Sequence, residues 1–154
     1  MNRLLLLLLL FSNNNLIANT DYKEKNNYDK IRLNAVSIPT VWKDSILVKI
    51  YLEIPYKSLQ FIKNGNRFIS GYDAQFAVMD KKGKLVYKQT LSDSLYLNNY
   101  IETVDKLRSI ILFSEKVLHL ENYLVLATVL DVSSREIYKS NLNLKPDIAN
   151  NINL

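Results

Sequence analysis

The residues that could do chemistry are few and scattered. His119 is the only histidine, cysteine is absent, and the three glycines, Gly65, Gly71 and Gly83, are isolated from one another. A zinc site draws several ligands from His, Cys and carboxylates, and a catalytic triad needs a nucleophile and an acid arranged around its histidine. His119 lies in Leu118-His119-Leu120-Glu121, the sequence of a strand or its approach, and reads as a surface or loop residue. Phosphate-cradling loops need clustered glycines. Carboxylates are plentiful, but no pair is spaced so as to certify general acid–base work. Missing cysteines further exclude disulfides, thiolate metal sites, cysteine nucleophiles and a lipid-bearing cysteine behind a leader. The ten tyrosines could stack on sugars, but tyrosine also favours strands and the margins of a sandwich core. The expectation is a protein without cofactor, metal or catalytic residues, and not an enzyme.

Charge narrows the partners. The net charge of +5 falls to +4 without the first 18 residues, which leaves 19 Lys and Arg against 15 Asp and Glu. The lysines alternate with acids, as in Lys23-Glu24-Lys25 and Asp80-Lys81-Lys82. Nucleic-acid binding calls for a concentrated basic stripe, so no nucleic acid is expected.

The first residues are an address. Arg3 is followed by seven leucines and Phe11, then by Ser12 to Asn15 and Leu16-Ile17-Ala18. This is the charged, apolar and small-residue order of a secretory signal peptide. Its apolar core is about half the roughly 20 residues that a spanning helix needs, so no stable membrane span is expected. The expected organisation is a signal peptide over 1–18, a flexible lead-in over 19–29, one folded domain over 30–144 and a tail over 145–154. The destination is the periplasm or cell envelope of a bacterium.

The domain has the alternation of strands. In 46–54, Ile46, Val48, Ile50, Leu52 and Ile54 share one face, with Leu47, Lys49, Tyr51 and Glu53 on the other, the period of two that marks a half-buried strand. Residues 68–78 repeat it, with Phe68, Tyr72, Ala74, Phe76 and Val78 inward. Asp80-Lys81-Lys82-Gly83-Lys84 predicts a hairpin turn, since Gly83 is free to take a positive φ. Further strands are predicted at 30–38, 85–91, 108–113, 123–131 and 137–144, the fourth of these apolar on both faces as a central strand should be. About seven strands with turns at near-ten-residue intervals imply an all-β fold, a single antiparallel, immunoglobulin-like β-sandwich. A closed lipocalin-like barrel is the alternative.

One stretch departs from the alternation. Pro55 follows Ile54, and the apolar beat resumes at Leu59 and Phe61. Proline cannot donate to a sheet ladder. The strand is therefore predicted to end near Ile54 and turn a corner through Tyr56, Lys57 and Ser58, with Leu59 and Phe61 returning to the core, as where a strand passes between the sheets of a sandwich. Pro55, Tyr56, Leu59 and Phe61 form a structural corner or interaction surface. Tyr123, opening the central strand, is placed to act as the hydrogen-bonding tyrosine corner of sandwiches.

These residues carry a resemblance. Ile54-Pro55-Tyr56-Lys57-Ser58-Leu59-Gln60-Phe61, then Gly71-Tyr72-Asp73-Ala74-Gln75-Phe76, then Asp80-Lys81-Lys82-Gly83 resemble the β-rich N-terminal region of bacterial GWxTD-domain proteins. Residues 122–137, with a penultimate strand, an aspartate and a turn, are similar to a later part of it. The motif that names the family is absent: the one tryptophan, Trp42, stands in Val41-Trp42-Lys43-Asp44. The resemblance implies an exported bacterial β-domain and supplies no catalytic residues. The expected function is that of a non-enzymatic interaction or structural module whose partner is another envelope protein. The alternative is a carrier of a small apolar ligand, with a barrel cavity lined by Tyr72, Phe76 and their neighbours.

Overall fold

The computed structural model describes residues 30–146 and the backbone of a three-residue strand, β1 (Lys23–Lys25). The expected signal peptide, the rest of the lead-in and the tail beyond Pro146 lie outside the described residues. The other strands are β2 (Arg32–Pro39), β3 (Ser45–Pro55), β4 (Ile62–Asn64), β5 (Arg67–Asp80), β6 (Leu85–Leu97), β7 (Ser109–His119), β8 (Tyr123–Asp131) and β9 (Glu136–Leu144), with one helical turn, α1 (Tyr100–Thr103), between β6 and β7. Seven of the described strands have eight or more residues, while β1 and β4 have three each.

They form two sheets. One is β2-β3-β7, antiparallel throughout. In the other, β1, β9, β8 and β5 follow in order, and β6 pairs with β5 on its far side. The short β4 lies end to end with β8, because Phe68 and Ile69 of β5 pair with β4 and with β6 at once. All these pairings are antiparallel except that of β1, which runs parallel to β9. Consecutive strands thus change sheet after β1, after β3 and again on either side of β7. This is the immunoglobulin-like sandwich, not a closed barrel.

The alternation explains the packing. Ile46, Val48, Ile50, Leu52 and Ile54 of β3 are all buried, and they meet Tyr72, Ala74, Phe76 and Val78 of β5 and Tyr123, Val125, Ala127 and Val129 of β8 in one continuous cluster. Tyr138 and Leu144 of β9 complete it, and Leu142 packs against it. Phe68, predicted inward, is half-buried at the sandwich margin, with its ring 5.8 Å from that of Tyr100. Gly83 takes φ +77 in the β5–β6 hairpin, where the Asp80 carboxylate accepts the amides of Lys82 and Lys84 at 2.8 and 2.9 Å. Those amides, that of Lys84 first, hold the Asp80 carboxyl below its ordinary value.

Two strands run further than their patterns predict. β6 continues from Leu91 to Leu97, and β7 from Phe113 to His119. Their polar inward positions face each other across the sandwich. The buried Ser114 donates to Gln89 Oε1 at 2.5 Å, and the Tyr87 hydroxyl lies 2.9 Å from Ser114 Oγ and donates to the same Gln89 oxygen at 2.8 Å. The Lys116 ammonium stands over the Tyr87 ring at 5.9 Å. This side of the core is closed by hydrogen bonds where the rest is closed by hydrocarbon.

Candidate functional site

The Pro55 corner is the point where the chain leaves the three-stranded sheet for the other. Pro55 takes φ −61 and ψ 139, the extended geometry its ring favours. It is the last residue of β3, one beyond the predicted end, opposite Ser109. A single 3₁₀ turn over Tyr56–Ser58 follows, and the Leu59 amide closes it on the Tyr56 carbonyl at 3.0 Å. The Tyr56 amide donates to the Arg108 carbonyl at 3.0 Å, and the Ser58 hydroxyl to the Lys30 carbonyl at 2.7 Å. Leu59 re-enters the core as predicted. Phe61 returns only half-way: it packs against the core from its margin, with the Tyr56 ring 5.9 Å from its own.

The corner is fastened to the β8–β9 turn by Asp131. This carboxylate occupies the next inward beat of β8 after Val129 and is 1% exposed. Its Oδ2 accepts the Gln60 amide and the Ser134 hydroxyl, both at 2.7 Å. Its Oδ1 accepts the Ser133 amide at 2.9 Å and, more weakly, the Ser134 amide at 3.4 Å. Arg135, at φ 62, closes the turn on the Asp131 carbonyl at 2.8 Å. Gly71 on β5 admits this turn: the Val132 amide donates to its carbonyl at 3.0 Å, and a Cβ on Gly71 would stand 3.4 Å from the Val132 Cβ.

A polar cleft of about 220 Å³ opens where the two segments meet, lined among others by Lys30, Lys57, Asp131, Ser134, Glu136 and Tyr138. The Tyr138 hydroxyl donates to Glu136 Oε2 at 2.6 Å. Burial, reinforced by that carboxylate, pushes the Tyr138 hydroxyl well above the ordinary tyrosine value. The cleft offers two lysines and a carboxylate to a polar group. Asp131 has both oxygens engaged by backbone and serine donors, so its place in the cleft wall is that of a brace. Among the described residues no three His, Asp or Glu side chains are grouped so as to hold a metal ion.

Tyr123 stands at the opposite end of β8, about 27 Å away at the usual rise per residue. Its hydroxyl donates to the His119 carbonyl at 2.8 Å, four residues upstream, which is the tyrosine-corner bond. Burial, aided by the charge of Glu121, pushes the hydroxyl up to about 12. His119 itself is exposed at the end of β7, so this fold uses its backbone carbonyl. The structure thus brings Pro55, Tyr56, Leu59 and Phe61 together and leaves Tyr123 apart. The residue missed by sequence reasoning is Asp131, although a carboxylate in phase with four inward apolar residues, followed by two serines, is the signature of a buried Asx-type turn.

No family model matches this sequence, and no curated protein matches it either. Among solved structures, a putative β-galactosidase from Bacteroides fragilis is similar over 75% of this chain and 16% of its own, at 12% identity and TM-score 0.49. A β-glucuronidase from Bacteroides uniformis is similar over 76% of this chain and 13% of its own, at 11% identity and TM-score 0.48. A Northeast Structural Genomics Consortium target is similar over 84% of this chain and 95% of its own, at 10% identity and TM-score 0.47. This chain spans a small part of the two glycosidases. The assignment as a β-sandwich rests on the strand pairing described above.

Proposed function

We propose that this protein is an exported, non-enzymatic β-sandwich that serves as an interaction module in the bacterial cell envelope, related to the β-domain of GWxTD-domain proteins. The observation that carries this reading is the outer face of the β2-β3-β7 sheet. Ile111 is 70% exposed, and Phe113, Val117, Val36, Ile38 and Tyr51 are exposed with it. Several large apolar side chains exposed on one sheet face of a folded domain mark a surface that another molecule covers. The polar groups at the ends of β8 support the same reading, because Asp131 and Tyr123 are engaged in holding the chain. A carrier of small apolar ligands is less well supported, since Tyr72, Phe76, Val78, Val125 and Val129, which would line its cavity, are packed into the core cluster.

The test is made in cells. A photo-crosslinking residue at position 113 should trap a protein in the envelope fraction, and mass spectrometry should find the mature chain beginning near Asn19. Recovery of a cytoplasmic chain that still begins at Met1, with no crosslink formed, would overturn the reading.

A further inference from the structure

The same exposed face is laid out in rows across the strands. From the corner end they run Arg32–Glu53–Ile111, Asn34–Tyr51–Phe113, Val36–Lys49–Glu115 and Ile38–Leu47–Val117, and the Ser45–His119 pair closes the face. The Tyr51–Phe113 and Leu47–Val117 rows therefore flank the Lys49–Glu115 row at the middle of the face, and the row at the corner end holds the Arg32–Glu53 ion pair at 3.0 Å. The Tyr51 and Phe113 rings touch across the seam at 5.2 Å. Lys49 and Glu115 stand side by side on β3 and β7, with the buried Val48, Ile50 and Ser114 turned to the other side of the sheet.

We infer that this face pairs with a second copy of the same chain, about a two-fold axis lying between the two faces along the seam of β3 and β7. The inference rests on the interaction-module reading and names the partner. Such an axis lays β7 of one copy over β3 of the other without displacing residues along the strands. Lys49 then meets the partner's Glu115, and Glu115 meets the partner's Lys49. Phe113 meets the partner's Tyr51, and Val117 the partner's Leu47. Two apolar rows cover their counterparts, the Lys49–Glu115 row is complementary to itself, and at the corner end Glu53, held by Arg32, meets the partner's Ile111. An axis through β3 would instead oppose Lys49 to the partner's Lys49. Aligned sheets cross at about 30°, so rows near the crossing point stay opposed best, and the Lys49–Glu115 row is the one at the centre. Isologous contacts of this kind close on themselves and do not propagate into fibres.

Charge exchange separates this geometry from other occupants. Sedimentation of the purified protein, at concentrations up to about 1 mM so as to reach weak complexes, should show a reversible monomer–dimer equilibrium. Glu115→Lys and Lys49→Glu each place like charges across the axis, and each should weaken self-association at least about tenfold, since opposed like charges disfavour pairing. An equimolar mixture of the two single variants should form a heterodimer as tight as the parent, because each contact then joins a lysine to a glutamate. Phe113→Ser, on the neighbouring row, should weaken the dimer without altering its response to salt. A parent that stays monomeric at every concentration overturns the inference, and so does a mixture that associates no better than its components. Neither result touches the envelope reading, which stands or falls by the crosslink and the mature N-terminus.

Discussion

The two ends of β8 hold the chain in different ways. At the Asp131 end, two segments distant in sequence must be joined: the corner that carries the chain between sheets and the turn that returns it along β9. A carboxylate with two oxygens gathers donors from both, and the bond to Gln60 spans 71 residues of sequence. At the Tyr123 end, one short link between β7 and β8 needs fixing, and a single hydroxyl on a carbonyl four residues back suffices. The demand for buried polar atoms in this sandwich follows the number of segments that meet at a point.

The sharpest way to break that comparison is to remove the carboxylate. Asp131→Ala leaves the Gln60 and Ser133 amides and the Ser134 hydroxyl without their acceptor, and should cost about 3–5 kcal/mol, the range for a broken buried network. Urea denaturation beside the parent measures it, and a loss no larger than that of Tyr123→Phe would end the distinction between the two ends. Within the corner, Leu59→Ala should cost about 2–4 kcal/mol as a buried leucine, and the half-buried Phe61→Ala less, about 1–2 kcal/mol. Equal losses in the two would mean that the marginal position of Phe61 understates its packing.

The smallest effect belongs to Tyr123→Phe, which gives up one hydrogen bond, about 1 kcal/mol at neutral pH. Its pH dependence is more distinctive. The folded value of about 12 stands above the ordinary 10.0, so the contribution of this hydroxyl is whole below pH 10 and is lost as pH rises toward 12. A shift of that size corresponds to about 2–3 kcal/mol. The stability advantage of the parent over Tyr123→Phe should therefore shrink and then reverse across that interval, as read from urea midpoints at stepped alkaline pH. A constant difference would show that the hydroxyl is not held neutral by the fold.

What the sequence made legible follows the reach of each interaction. The strand at 123–131 is visible because its apolar residues are consecutive, and β3 because five inward aliphatics alternate without a gap. The second halves of β6 and β7 were hidden by Ser92, Asp93 and Ser94 and by Ser114, Glu115 and Lys116. Both strands pair on one side only, and sheet-edge strands tolerate polar residues. The partners that satisfy Ser114 lie on the other sheet, beyond any local window. The same holds at the corner. Pro55 announced the turn, because a missing donor is a property of one residue. The brace at Asp131 depended on Gln60, which no spacing along the chain brings near it.

The parallel pairing of β1 with β9 has a consequence for the order of events. Residue 23 lies against residue 136, so the first of the described strands finds its place only after the last of them has been made. A polypeptide emerging N-terminus first carries Lys23–Lys25 unpaired until β9 arrives. The β1–β9 ladder therefore cannot close before β9 is present, and until it closes that edge of β9 stands unpaired.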